Sequence, residues 1–171
     1  MVQMNLWAGL NTFLRGHACR VFAAPLDVKL SDADVVQPDV LVVCQPEQIK
    51  ATHIEGAPAL VIEILSESSE LHDRGIKMRL YAAHGVAEVW LVKPYPSMIE
   101  VYRLDGESYR LAATYVPPDK LSSPGFPKLK LKLKDVFDFP LQLAKSEGTN
   151  VCEKLVPYVA KRTRHGAKKN T

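Results

Sequence analysis

Ala59-Leu60-Val61-Ile62-Glu63-Ile64-Leu65 is the stretch on which the fold turns. A run this apolar and this short reads as a strand covered on both faces. Glu63 is its one charge, and no other falls between Glu55 and Glu67. A carboxylate is almost never buried without compensation, because stripping its water costs several kcal/mol or more. Glu63 can face solvent at a sheet edge, answer a distant Arg or Lys, or bind a cation. Asp39 heads a second apolar run, Val40-Leu41-Val42-Val43-Cys44. Taken alone, Pro38-Asp39 is an ordinary turn leading into a strand. Together the two acids, with no equally placed local cation, suggest a metal site.

Outward from these strands the pattern is mixed. Leu6, Leu10, Phe13 and Leu14 predict a helix over 4–15, ending near Gly16. Segments 19–23 and 26–30 read as short strands bent around Pro25, 32–37 as a polar turn and 45–58 as a loop. Ile76, Leu80 and Ala83 stripe a helix over about 70–84, with Gly85 placed to end it. A strand around 86–93 containing Trp90 follows. Strand, helix and strand make a βαβ unit, so 59–65 and 87–93 should run parallel. Segments 98–104 and 108–115 read as a hairpin around Asp105-Gly106. Residues 116–127 hold four prolines and read as a loop. From 128 to 134, Lys128, Lys130, Lys132 and Lys134 alternate with Leu129, Leu131 and Leu133. That lysine row reads first as protection of an edge strand, and second as a phosphate-binding surface. A short helix is expected next, then an amphipathic segment near 151–161.

The chain of 171 residues, 47% hydrophobic and 24% charged, has the composition of a soluble globular domain. No apolar run approaches the roughly 20 residues of a membrane span, and the start lacks the features of a signal peptide. Cys19, Cys44 and Cys152 are odd in number and fit no CxxC pattern, which argues for a reducing cytoplasm and against disulfides or structural zinc. The five histidines have no metal-ligand spacing. The net charge is +3, but Lys154, Lys161, Arg162, Arg164, Lys168 and Lys169 crowd a tail without acids after Glu153. Such a tail is a disordered solvating segment or attaches to phosphate backbones. The expected organisation is one domain over 1–140 and a basic helical or disordered tail over 141–171.

If the strands at 39 and 63 are neighbours, about 4.8 Å apart, same-face carboxylates converge on one ion. Two carboxylates and an adjacent carbonyl suit Mg²⁺, which fills its remaining positions with water and phosphate oxygens. A nearby lysine completes a working set for phosphodiester hydrolysis. No glycine-rich phosphate loop occurs.

Pro38-Asp39, then Glu63-Ile64-Leu65-Ser66, Asp73 and Lys77 on a helix, Tyr81, Gly85-Val86 and Glu88-Val89-Trp90-Leu91-Val92 carry a resemblance. In this order they resemble the bacterial "putative restriction endonuclease" family of the PD-(D/E)XK nuclease superfamily, over roughly residues 5–138. The resemblance implies an α/β, restriction-endonuclease-like core: a mixed central β-sheet flanked by helices, with an added β-hairpin. It implies Mg²⁺-dependent cleavage of DNA (Mn²⁺ substituting), with Asp39 and Glu63 as metal-binding acids, the Ile64 carbonyl as third ligand and Lys77 as the assisting cation. The superfamily's usual lysine lies two residues after the glutamate, where Leu65 stands here. Tyr81, one turn beyond Lys77, is a half-buried aromatic or a substrate contact. A homodimer is implied by resemblance alone. This chain departs from the family by starting almost inside the first helix and by carrying Lys93 where an aspartate is usual. The shorter start leaves open a nuclease-fold protein that binds nucleic acid or a partner without cutting. A metal-dependent hydrolase of small phosphate esters is a third reading.

Overall fold

The computed structural model describes residues 1–66 and 73–138. The tail and its segment near 151–161 lie outside the described residues, as does the opening of the expected helix at 70.

Helix α1, Val2–Phe13, presents Val2, Leu6 and Leu10 inward at one-turn spacing. Strand β1 (Arg20–Ala23) follows, then β2 (Asp27–Lys29), β3 (Val35–Val36), β4 (Val40–Val43), β5 (His53–Glu55) and β6 (Leu60–Ile64). A π-helical turn, Asp73–Lys77, runs directly into helix α2, Met78–Ala83. Gly85, at φ 74°, takes the left-handed conformation just beyond the helix end. Then come β7 (Glu88–Lys93), the hairpin β8 (Met98–Asp105) and β9 (Ser108–Tyr115), β10 (Lys120–Leu121), β11 (Leu131–Lys132) and the short helix α3 (Leu133–Val136).

The central sheet has the order β1-β4-β6-β7-β8-β9. β6 and β7 are parallel, as the βαβ reading requires, and the other adjacent pairs are antiparallel. The expected fold class, α/β with a mixed sheet and an added hairpin, is the fold observed. Every residue of β4 is buried, and β6 is buried except for half-buried Ile64, which explains their lack of alternation. On one face Leu41, Val43, Val61, Val89 and Leu91 pack with Tyr81, Val86, Val28 and Ile54. Residues of the opposite parity, among them Val40, Ile62 and Trp90, are equally buried. α1 also packs close to β11: a Cβ on Gly9 would collide with Leu131 Cδ1.

Four expectations need correction. Segments 32–37 and 45–58 are not merely turn and loop: β3 and β5 flank β2 in a separate three-stranded sheet. Strands of two or three residues are too short to show a period. Likewise, the loop over 116–127 contributes β10. The lysine-bearing segment is a strand only at Leu131–Lys132, where Lys120 faces Lys132 before α3 begins. Its alternation holds, since Leu129, Leu131 and Leu133 are buried and the four lysines exposed. Finally, Cys19 and Cys44 form a disulfide. β1 pairs with β4 so that Arg20 faces Val43, and the next rung brings the two cysteines opposite each other. The expectation of reduced cysteines overlooked that pairing, and it no longer supports a cytoplasmic setting. Among the described residues no helix is long and apolar enough to cross a membrane.

Candidate active site

The ladder between β4 and β6 sets Val40 opposite Ile62 and Leu41 opposite Val61. Carried one residue beyond its last paired rung, the same register brings Asp39 alongside Glu63, with the parity of Leu41 and Val61. The charge of Asp39 adds to the upward shift of the Glu63 pKa, as the least of its causes. Asp39 is half-buried, and its Oδ2 accepts the Ile64 N–H at 2.7 Å. Its own carbonyl accepts Gln3 Nε2 at 2.9 Å and the Ala24 N–H at 3.0 Å, which ties the turn to α1 and β1. A strand residue's N–H and C=O point the same way. The Ile64 carbonyl therefore faces the side on which Asp39 lies.

Glu63 is 2% exposed. Its Oε2 accepts Lys77 Nζ at 3.0 Å, and its Oε1 accepts the Tyr81 hydroxyl at 2.5 Å. Burial dominates and pushes its pKa up to about 7, against the opposing pull of Tyr81 and Lys77. The compensation that the sequence demands is thus partly a distant cation and partly a phenol. Lys77 closes the π turn and Tyr81 follows four residues later, so one flank of the helix supplies both donors. Tyr81 is fully buried, not half-buried as expected, because its ring belongs to the core beneath the helix.

Among the described residues no three His, Cys, Asp or Glu side chains converge as a metal site. A cation here would rest on two carboxylates and a carbonyl. That set is all hard oxygen, which fits Mg²⁺ or Mn²⁺ and disfavours zinc.

The family model described as "Uma2: Putative restriction endonuclease" matches residues 2–134, a span that includes Asp39, Glu63, Lys77 and Tyr81. The chain belongs to that family. An uncharacterized protein of Synechocystis sp., slr1290, is 33% identical over 110 residues, 63% of this chain. The matched region spans 58% of that relative's length. A crystal structure from Anabaena variabilis, described as a putative nuclease belonging to DUF820, matches with a TM-score of 0.62 at 22% identity, over 80% of this chain and 78% of that one. The likeness to that structure is one of fold.

Two features of this Uma2 chain escaped the sequence. Glu88 is fully buried on the opposite parity of β7. Its Oε1 accepts Trp90 Nε1 at 2.8 Å, and its Oε2 accepts the Gly125 N–H at 2.8 Å and Arg103 Nη1 at 3.4 Å. Arg74, one helical turn before Lys77, reaches Glu100 Oε2 through Nη2 at 2.7 Å and the Tyr102 hydroxyl through Nη1 at 3.4 Å. Its signal was a second cation three residues ahead of the first. Lys93, the family departure, ends β7 on the parity of Leu91, half-buried.

Proposed function

We infer that the protein is a Mg²⁺-dependent endonuclease that hydrolyses DNA phosphodiester bonds, with Asp39, Glu63 and the Ile64 carbonyl as metal ligands and Lys77 as the assisting cation. The observation that carries this reading is the meeting of three side chains at the end of one ladder: Asp39 Oδ2 accepts the N–H of Ile64, the residue after Glu63, and Lys77 Nζ lies 3.0 Å from Glu63 Oε2. Membership in a nuclease family supports it. A bound divalent cation supplies Lewis acidity to a phosphoryl oxygen and lowers the pKa of a water. Asp39 is held in place through its bond to the Ile64 N–H, and Tyr81 fixes the rotamer of Glu63 through Oε1. Lys77 stands beside them, 21% exposed, and its ammonium on Glu63 is the cation nearest to where an attacking water or a phosphate oxygen would lie. In hydrolysis the water oxygen joins phosphorus, one ester P–O bond breaks, and the departing oxygen takes up a proton. The exposed lysine row over 128–134 supplies sequence-independent, salt-dependent attraction to the backbone.

A second reading rests on a specific observation: both oxygens of Glu63 already have protein donors. A site compensated from within suits a nuclease-fold protein that holds nucleic acid without cutting it. Supercoiled plasmid incubated with Mg²⁺ or Mn²⁺ separates the two. Wild type should nick it, while Asp39→Ala and Glu63→Gln should lose at least 10³-fold, about 4 kcal/mol of barrier, and Lys77→Ala should be slowed. Cleavage that persists in both acid variants removes this site from the reaction. Retardation of DNA without cutting by wild type would establish the binding module instead.

A further inference from the structure

Cys19 and Cys44 close one end of the ladder that carries Asp39 at its other end. From the bridge the rungs run Arg20–Val43, Val21–Val42, Phe22–Leu41 and Ala23–Val40, and the Ala24 N–H then meets the Asp39 carbonyl at 3.0 Å. β4 is paired on both sides, to β1 and β6, whereas β1 is an edge strand of four residues paired to β4 alone. Helix α1 holds its middle, through Trp7 Nε1 on the Val21 carbonyl at 3.2 Å. Local opening of a short edge strand costs far less than opening the core. The bridge opposes that opening, because it pins both ends of a stretch of 25 residues that contains Asp39.

The sulfurs can be reached. Both cysteines are half-buried and line an open recess of about 500 Å³, together with Phe13, Phe126, His17 and Lys128. Among the described residues no acid lines that recess. His17 and Lys128 are exposed and make no ion pair among the described residues. Cations beside a disulfide attract a thiolate reductant and stabilise the thiolate that leaves.

We propose that the Cys19–Cys44 bridge is a redox switch on the candidate site, operated by a dithiol reductant and acting through β1 on Asp39. The switch rests on the reading of Asp39 as a metal ligand. A reductant thiolate attacks one sulfur, the S–S bond breaks, and the electron pair leaves on the other sulfur, which takes up a proton. The second thiol of the reductant then attacks the mixed disulfide, closes the reductant into its own disulfide and releases the remaining cysteine as a thiol. Two electrons and two protons pass to the protein. In the reduced chain β1 opens more often, and the Asp39 carbonyl then loses the Ala24 donor while it keeps Gln3. Metal binds the closed form, so its apparent affinity falls with the fraction of molecules that are closed.

The test uses the full chain carrying Cys152→Ser, so that only the bridged pair can exchange. Titration of thiols should find none in the oxidised chain and two after dithiothreitol. Mn²⁺ binding, followed by the loss of its paramagnetic-resonance signal, should weaken several-fold on reduction and recover on reoxidation. Plasmid nicking should need several-fold more Mg²⁺ for half its maximal rate after reduction, with the maximal rate unchanged because the ligands are intact. Cys19→Ser combined with Cys44→Ser should behave as the reduced chain and ignore dithiothreitol. Should that variant fail to fold, the bridged chain measured oxidised, reduced and reoxidised decides alone. Equal Mn²⁺ affinity in the two forms, or thiols that never pair, overturns the switch, and cleavage by either form then leaves the nuclease reading standing. If affinity follows the bridge but neither form cuts, the switch holds and the nuclease reading falls. If neither form binds Mn²⁺, both fall together.

Discussion

Glu63 and Glu88 are both carboxylates buried in the central sheet, on neighbouring strands and opposite faces, yet they are held in different ways. Glu88 is met by an indole N–H from its own strand, a backbone N–H from the Gly125 loop and a guanidinium across the hairpin. A Cβ on Gly125 would come within 3.1 Å of Glu88 Oε2, so any other residue there would make the carboxylate give by a few tenths of an ångström. Glu63 is met by two side chains from a single helix flank, one of them a lysine still 21% exposed. Each acid thus has one partly exposed cation, and burial is alike in the two. The difference lies in the neighbours: Glu88 takes two of its bonds from an indole and a backbone N–H, whereas Glu63 has a second acid, Asp39, close enough for its charge to be felt.

The largest effect expected from that contrast is Glu88→Ala. It strands the Trp90 and Gly125 donors and leaves a hole where a fully buried side chain stood, so it should cost about 3–5 kcal/mol of stability. Denaturant midpoints at unchanged slope would measure it. A loss below about 1 kcal/mol would erase the distinction between the two acids.

Next comes the pH dependence of Glu63 in chelated buffer. Its folded pKa of about 7 lies above the 4.5 of an ordinary glutamate. The folded state therefore binds more protons than the unfolded chain between those values, and stability falls as pH rises through that window. The contribution is complete below pH about 4.5 and gone above about 7, and on the order of 2–3 kcal/mol is involved. Glu63→Gln cannot titrate, so it should lack this slope and gain on wild type at pH 8. Parallel stability curves for the two proteins from pH 4.5 to 8 would show that Lys77 and Tyr81 already neutralise the site.

Much of this was legible before the structure. A charge inside an apolar seven-residue run announces a buried site, and the order of acid strand, Lys-bearing helix and Trp strand carried the family resemblance. The same argument applied to Glu88, which opens a strand with no polar alternation, but its compensating groups at 103 and 125 are distant in sequence and one of them is a backbone N–H. No local pattern encodes a backbone donor from a loop. The Cys19–Cys44 pairing was equally a matter of register: both strands were visible, their alignment was not. Arg74 was hidden because its partners, Glu100 and Tyr102, lie on a strand distant in sequence.

Smaller effects sharpen the contrast by removing one donor at a time. Tyr81→Phe deletes the hydroxyl on Glu63 Oε1 and should cost about 2 kcal/mol at pH 8, where the carboxylate is charged, and clearly less at pH 5. Equal costs at the two pH values would mean the phenol serves packing alone. The smallest expected effect is Arg103→Ala. Its guanidinium is 41% exposed and its contact with Glu88 is long, at 3.4 Å, whereas the indole and Gly125 donors sit at 2.8 Å and stay. The loss should be about 1 kcal/mol, well under that of Glu88→Ala, because two short N–H bonds still satisfy the carboxylate. A cost matching Glu88→Ala would mean that the charge pair, not the backbone and indole donors, holds Glu88, and the two glutamates would then differ only in which cation each one uses.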